Sequence, residues 1–136
     1  MKVVVDTNVM ISGVFFGGKP RQVLELWYSK RFELLCSPEI LEEYEDVLYR
    51  LVKRSRQREG DLVHSFMLNL SRGSTVIEVD DTDLYSSDPD DDKFVQCAVS
   101  GKALFVVSGD SDLLELGQVK DVEIITVNEF LERMSN

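Results

Sequence analysis

With 136 residues, 43% of them hydrophobic, the chain has the size of one domain with a core of its own, expected to span residues 1–136. The net charge of -10 argues against indiscriminate nucleic-acid binding, because phosphate affinity normally comes from an excess of Lys and Arg. No apolar run approaches the roughly 18 residues of a membrane span, and the apolar stretch after Lys2 stops at Asp6, which no secretory leader does. Val3, Val4 and Val5 are β-branched and apolar on both faces, which predicts a strand inside a parallel sheet with helices on either side. A short helix follows and stops at Gly17-Gly18, and Pro20 suits the first turn of a second helix carrying Val23, Leu24, Leu26 and Trp27. Phe32 to Cys36 predicts a second strand. Ser37-Pro38 then starts the clearest helix in the chain, with Ser37 as N-cap and Pro38 in the first turn. Ile40, Leu41, Tyr44, Val47, Leu48 and Leu51 form its single apolar stripe. Basic residues crowd its far end: Arg50, Lys53, Arg54, Arg56 and Arg58.

Leu62, Val63, Phe66, Met67 and Leu70 predict another amphipathic helix over 60–70, and 75–79 reads as a third strand. An acidic run from Asp80 to Asp92 follows, within which Asp88-Pro89 repeats the cap-plus-proline start and opens a helix through Phe94, Val95, Ala98 and Val99. Ala103 to Val107 is a fourth strand, a short helix holds Leu113, Leu114 and Leu116, and 123–126 is the last strand. Asn128 then caps a terminal helix through Met134. This alternation predicts a three-layer α/β/α sandwich around a central parallel sheet of about five strands. Cys36 and Cys97 show no metal-ligand spacing and sit in apolar surroundings, the pattern of buried free thiols in a reducing cytoplasm.

Asp6 and Asp110 occupy equivalent positions, each just past an apolar strand, where open α/β sheets bind ligands. Each also suits the N-cap of the helix after it. Two at neighbouring strand ends would face one crevice. Asp91 adds a third acid, because positions 91, 94, 95 and 98 share a helical face and turn its carboxylate toward the sheet. Asp90 and Asp92 read instead as solvated charges in an acidic loop. On the long helix Glu43 and Glu45 flank the apolar stripe, each roughly 40° beyond its edge, and periodicity does not choose between them. Oxygen-only clusters of three or four carboxylates are the material of Mg²⁺ or Mn²⁺ sites. Phosphate-binding glycine loops and serine elbows are missing from the sequence, and the one histidine, His64, lies mid-helix with a surface or boundary character.

Taken together, Val-Val-Asp-Thr-Asn at 4–8, Ser-Pro-Glu-Ile-Leu-Glu-Glu-Tyr at 37–44, Asp-Pro-Asp-Asp-Asp-Lys-Phe-Val at 88–95 and Val-Ser-Gly-Asp-Ser-Asp-Leu-Leu at 107–114 resemble the successive motifs of PIN-domain nucleases. The resemblance is strongest to VapC-like toxins of prokaryotic toxin–antitoxin pairs. It implies a PIN-like fold and metal-dependent hydrolysis of RNA, with one or two Mg²⁺ or Mn²⁺ ions. Carried over residue by residue, it makes Asp6, Glu43, Asp91 and Asp110 the metal ligands and catalytic acids, with Asp112 auxiliary. Asn8 and Ser108 become supporting hydrogen-bonders, Ser108 standing where the family more often has Thr. The run Asp90-Asp91-Asp92 leaves a one-residue ambiguity that the helical stripe resolves in favour of Asp91.

The resemblance also implies a cognate antitoxin protein and a homodimer, and the large side chains of the early helices (Met10, Ile11, Val14, Phe15, Phe16, Trp27 and Tyr28) supply apolar surface for either, or for ordinary core. Lys53, Arg54 and Arg56 are candidate contacts for the RNA backbone, or else a solvated helix end. A competing reading is a non-catalytic acidic α/β module, receiver-like or an inactive PIN domain. A receiver wants an acidic pair at the first strand and a Lys after the last, and here Thr7-Asn8 follow Asp6 while Val127-Asn128 follow Thr126.

Overall fold

In the computed structural model, which describes residues 1–53 and 57–135, the first half of the chain runs β1 (Lys2–Val5), α1 (Thr7–Phe15), α2 (Gly18–Tyr28), β2 (Glu33–Cys36), α3 (Pro38–Val52), α4 (Gln57–Gly73) and β3 (Ser74–Val76). A 3₁₀ turn (Pro89–Asp91) leads into α5 (Asp92–Ser100). Then come β4 (Phe105–Val107), α6 (Ser111–Leu116), β5 (Gln118–Val119), β6 (Val122–Ile125) and α7 (Val127–Met134). The strands make one sheet in the order β3-β2-β1-β4-β6-β5. Every pairing is parallel except the last, in which β5 turns back on β6. The α/β layer architecture read from the alternation is therefore present, with one short antiparallel strand added at the edge. Gln118–Val119 was not foreseen because two residues are too few to show a period, and Gln118 is exposed.

The position of β1 decides where ligands can gather. Chain order runs outward from β1 through β2 to β3, then returns to β4 on the other side of β1. The crevice between β1 and β4 is thus the switch point of the sheet, and the carboxyl ends of both strands open into it. Val3, Val4 and Val5 are completely buried, as a run apolar on both faces requires. Packed across β1, β2, β4 and β6 lies α5, while α1 packs against α2, α3 and α4. Tyr44, fully buried on α3, donates its hydroxyl to the Val5 carbonyl and so ties α3 to the end of β1, one residue before Asp6.

Local signals fared unevenly. Ser37 caps α3 as expected, its hydroxyl accepting from the Ile40 N–H at 3.1 Å. The terminal helix starts earlier than the sequence reading had it. Thr126, not Asn128, is the cap, and Thr126 with Glu129 forms a reciprocal capping box. The third strand is also shifted, covering 74–76 rather than 75–79, with Ile77 giving a last bond to the Cys36 carbonyl before the chain leaves the sheet. Of the early apolar residues, Met10, Ile11, Val14 and Trp27 are core, whereas Phe16 is 82% exposed and Tyr28 45%. Cys36 and Cys97 are buried and free. Burial pushes the Cys97 thiol up to about 12 and that of Cys36 higher still, so both are inert. Among the described residues no helix is long and apolar enough to cross a membrane.

Gly13 looks misplaced inside α1 until its neighbours are considered. A Cβ there would lie 2.8 Å from Leu24 Cδ1 and 3.0 Å from the Pro20 carbonyl oxygen. Helix propensity alone favours Ala over Gly by about 1 kcal/mol, but overpacking a closed contact costs about 1–3 kcal/mol. The backbone oxygen cannot rotate away. Gly13→Ala is therefore expected to lower the urea midpoint. A raised midpoint would show that α2 yields easily to α1.

Candidate metal centre

Asp6 stands where β1 gives way to α1, with extended backbone that lets it cap the helix: its Oδ1 accepts from the Val9 N–H at 2.9 Å. Its other oxygen accepts from the Ser108 hydroxyl. Ser108, completely buried just past β4, accepts in turn from the Asp110 N–H at 2.9 Å. Asp110 caps α6, its Oδ1 taking the Asp112 N–H at 2.8 Å. The capping reading and the shared-crevice reading of these two aspartates are thus both realised. Each uses carboxylate oxygens as helix caps, and the two remain close enough that Asp110 raises the pKa of Asp6. The larger cause of that rise is burial, opposed by the Ser108 and Val9 hydrogen bonds.

Asp91 closes the 3₁₀ turn before α5 and is 9% exposed, whereas Asp90 is exposed. The helical stripe therefore chose the inward-facing residue of those two. Asp91 Oδ2 is buried and without a hydrogen-bond partner among the described residues. Burial first, then the charges of Asp110, Asp88 and Asp112, push its pKa up to about 7. Asp92 departs from the sequence reading. Instead of a solvated charge it is 3% exposed, and its Oδ1 accepts from the Tyr85 and Ser86 N–H groups at 2.9 and 2.8 Å. The loop before the turn folds back over it, and Asp92 supplies the acceptor those amides need.

Periodicity left Glu43 and Glu45 equal. In the structure Glu45 is exposed, and Glu43 reaches into the crevice with both oxygens engaged. Thr7 donates its hydroxyl to Oε2, and Lys93 Nζ lies 2.7 Å from Oε1. Asp6, Glu43, Asp91 and Asp110 line one cavity of about 230 Å³, with Asn8 and Asp90 at its wall. Asp112 stands to one side: its carboxylate groups with those of Asp91 and Asp88, one oxygen of each lying within 4.8 Å of the others. Asp88, legible in sequence only as a cap, is an addition to the acids named beforehand. Thr7 and Lys93 are two further residues of the site, and only their closeness in space to Glu43 reveals them. A larger cleft of about 940 Å³ opens near Trp27 and Arg72, but Glu33 is the one acid on its wall. Size is therefore not what marks the chemistry. Lys53 is exposed at the end of α3, ~15 Å along the helix from Glu43, and Arg54 and Arg56 lie outside the described residues.

These features suit a hard divalent cation. The carboxylates supply oxygen donors alone, Asp6 and Asp91 are both held above their ordinary range by burial and by the charge of Asp110, and among the described residues one buried oxygen has no partner. Such a set is unfavourable as free anions and matches the oxygen ligation of Mg²⁺ or Mn²⁺.

Comparison with known proteins agrees with this architecture. A crystal structure of PAE2754 from Pyrobaculum aerophilum superposes with a TM-score of 0.67, covering 99% of this chain and 90% of that one at 16% identity. At that identity the likeness is one of fold. No curated protein is similar enough to match. The family model for the PIN domain matches residues 2–112, a span that holds every acid of the cavity and its neighbours Asp88 and Asp112. PIN domains are generally nucleases and typically use divalent metal ions. By that match, which reaches from β1 to the first turn of α6, the chain belongs to the PIN-domain family.

Proposed function

We propose that this protein is a metal-dependent endoribonuclease and the toxin of a toxin–antitoxin pair. The observation that carries the catalytic part is the buried oxygen of Asp91, unpartnered among the described residues, in a cavity it shares with Asp6, Glu43 and Asp110. Those four carboxylates would hold one or two Mg²⁺ or Mn²⁺ ions, with Asp112 as an auxiliary acid. A cation bound there would supply a water of lowered pKa for in-line attack and offset the charge of the scissile phosphodiester. The chain's own part is orientation. Ser108 and the Val9 amide fix Asp6, Thr7 and Lys93 fix Glu43, and the Asp112 amide fixes Asp110. Asn8, which the resemblance makes a supporting hydrogen-bonder, is exposed at the cavity wall and would from there bond to substrate instead of bracing an acid. Lys53, Arg54 and Arg56 are the basic side chains that would contact the RNA backbone. A cytoplasmic setting suits two inert free thiols. An antitoxin or second subunit would find apolar surface at Phe16 and Tyr28.

The test is cleavage of a mixed single-stranded RNA pool with Mn²⁺ titrated from a chelated baseline. Internal cuts should appear with the metal and vanish when EDTA is added back. Cleavage indifferent to chelator, or none at any metal concentration, would overturn the assignment.

A further inference from the structure

Lys93 stands out against the acids around it. Its ammonium lies 2.7 Å from Glu43 Oε1 and 2.8 Å from the Asp90 carbonyl oxygen, and its side chain is 11% exposed. Both hydrogen bonds draw it to the rim of the cavity, from α5 across to α3. Among the described residues it is the only cation in an ion pair with any acid lining that cavity. The cluster is therefore divided. Asp6, Asp91 and Asp110 line the cavity with no ion pair among the described residues, while Glu43 carries its own counter-charge.

We infer that Lys93 is a positioning residue whose tethered ammonium is the resident counter-cation of Glu43 and competes with a divalent ion for that carboxylate. The inference rests on the metal-centre reading above and deepens it, by separating the acids into three without an ion-pair partner among the described residues and one that is already matched. A compact, three-donor ammonium suits this role, because it takes a carboxylate oxygen and a carbonyl at once without filling the cavity. The consequence is that the wild-type site binds a divalent ion less tightly than its count of carboxylates implies. Removing the ammonium frees Glu43 for the ion and removes a positive charge from its neighbourhood.

Calorimetric titration with Mn²⁺ alone, no RNA present, tests this on the wild type, Lys93→Met, Glu43→Gln and the double variant. Lys93→Met should bind Mn²⁺ on the order of tenfold more tightly or take up an additional ion, and Lys93→Arg should stay near wild type. In the Glu43→Gln background the gain from Lys93→Met should be clearly smaller, reduced to the part owed to the lost positive charge alone, since the rest of it acts through Glu43. Melting curves of the same variants in EDTA establish that each is folded, and Lys93→Gln serves should Lys93→Met not fold. An affinity unchanged by Lys93→Met, or a gain of equal size with and without Glu43, would overturn the inference while leaving the metal centre intact. No Mn²⁺ binding by any variant would overturn the metal centre itself, and the role of Lys93 with it.

Discussion

Asp6→Asn and Asp91→Asn are each expected to lower metal-dependent RNA cleavage on the order of a thousandfold, yet to move stability in different ways. Asp6 is 4% exposed and spends its oxygens on the Val9 amide and the Ser108 hydroxyl. An asparagine keeps one acceptor for Val9, and its amide can donate to the hydroxyl oxygen, so the net change should stay within about 1 kcal/mol. Asp91 has no such partner on Oδ2, and it faces the charges of Asp110, Asp88 and Asp112. Asparagine there removes one buried charge from a repelling group and offers donors to the carboxylates that remain. The EDTA-treated Asp91→Asn protein should therefore melt several degrees above wild type at pH 8. The combination of lost activity and raised stability is the signature of a group kept for chemistry rather than for folding. Asp91→Asn that cleaves RNA as wild type does, or that melts below it at pH 8, would remove Asp91 from the site.

How far the residues themselves announced this arrangement depends on the range over which each signal acts. Local signals were legible: the valine run of β1 ending at Asp6, Ser37-Pro38 at the start of α3, and the equivalent placement of Asp110 after β4. Each is set by sterics and hydrogen bonds within a few residues. Glu43 and Glu45 could not be separated that way, because the deciding contacts come from Thr7 and Lys93, which are 36 and 50 residues away in sequence. Asp92 was misread for the same kind of reason. Charge in an acidic run normally means solvent, but here Tyr85 and Ser86 bring their amides to it from a folded-back loop. Lys93 carried no signal of its own in the sequence, because its partner Glu43 lies on α3, 50 residues away. At the last helix the information was local and simply outvoted: Thr126 and Glu129 form a capping box that prevails over Asn128.

The stability of the chelated protein should fall as pH rises from 5 to 8, and Mn²⁺ should restore it only at the upper end. The sign follows from the direction of the shifts. Asp91 titrates at about 7 in the fold and Asp6 is also raised, against an ordinary value of 3.8. Between the ordinary and the folded values, the folded state holds more protons than the unfolded one, so stability declines as pH increases through that window. It is fully present below the ordinary carboxylate range and lost once pH has passed through about 7. A divalent ion binds only the deprotonated acids, so it competes with protons at pH 5 and meets no competition at pH 8. At a hundred times its dissociation constant it would add about 2.7 kcal/mol to the stability of the fold. Melting curves across pH 5 to 8, with EDTA and with Mn²⁺, should therefore diverge progressively. In Asp91→Asn both the EDTA slope and the divergence should be reduced, because the acid with the largest rise has been removed. A chelated profile flat over this range, or a Mn²⁺ shift of equal size at both ends, would mean that these carboxylates are neither destabilising as free anions nor joined by a shared cation.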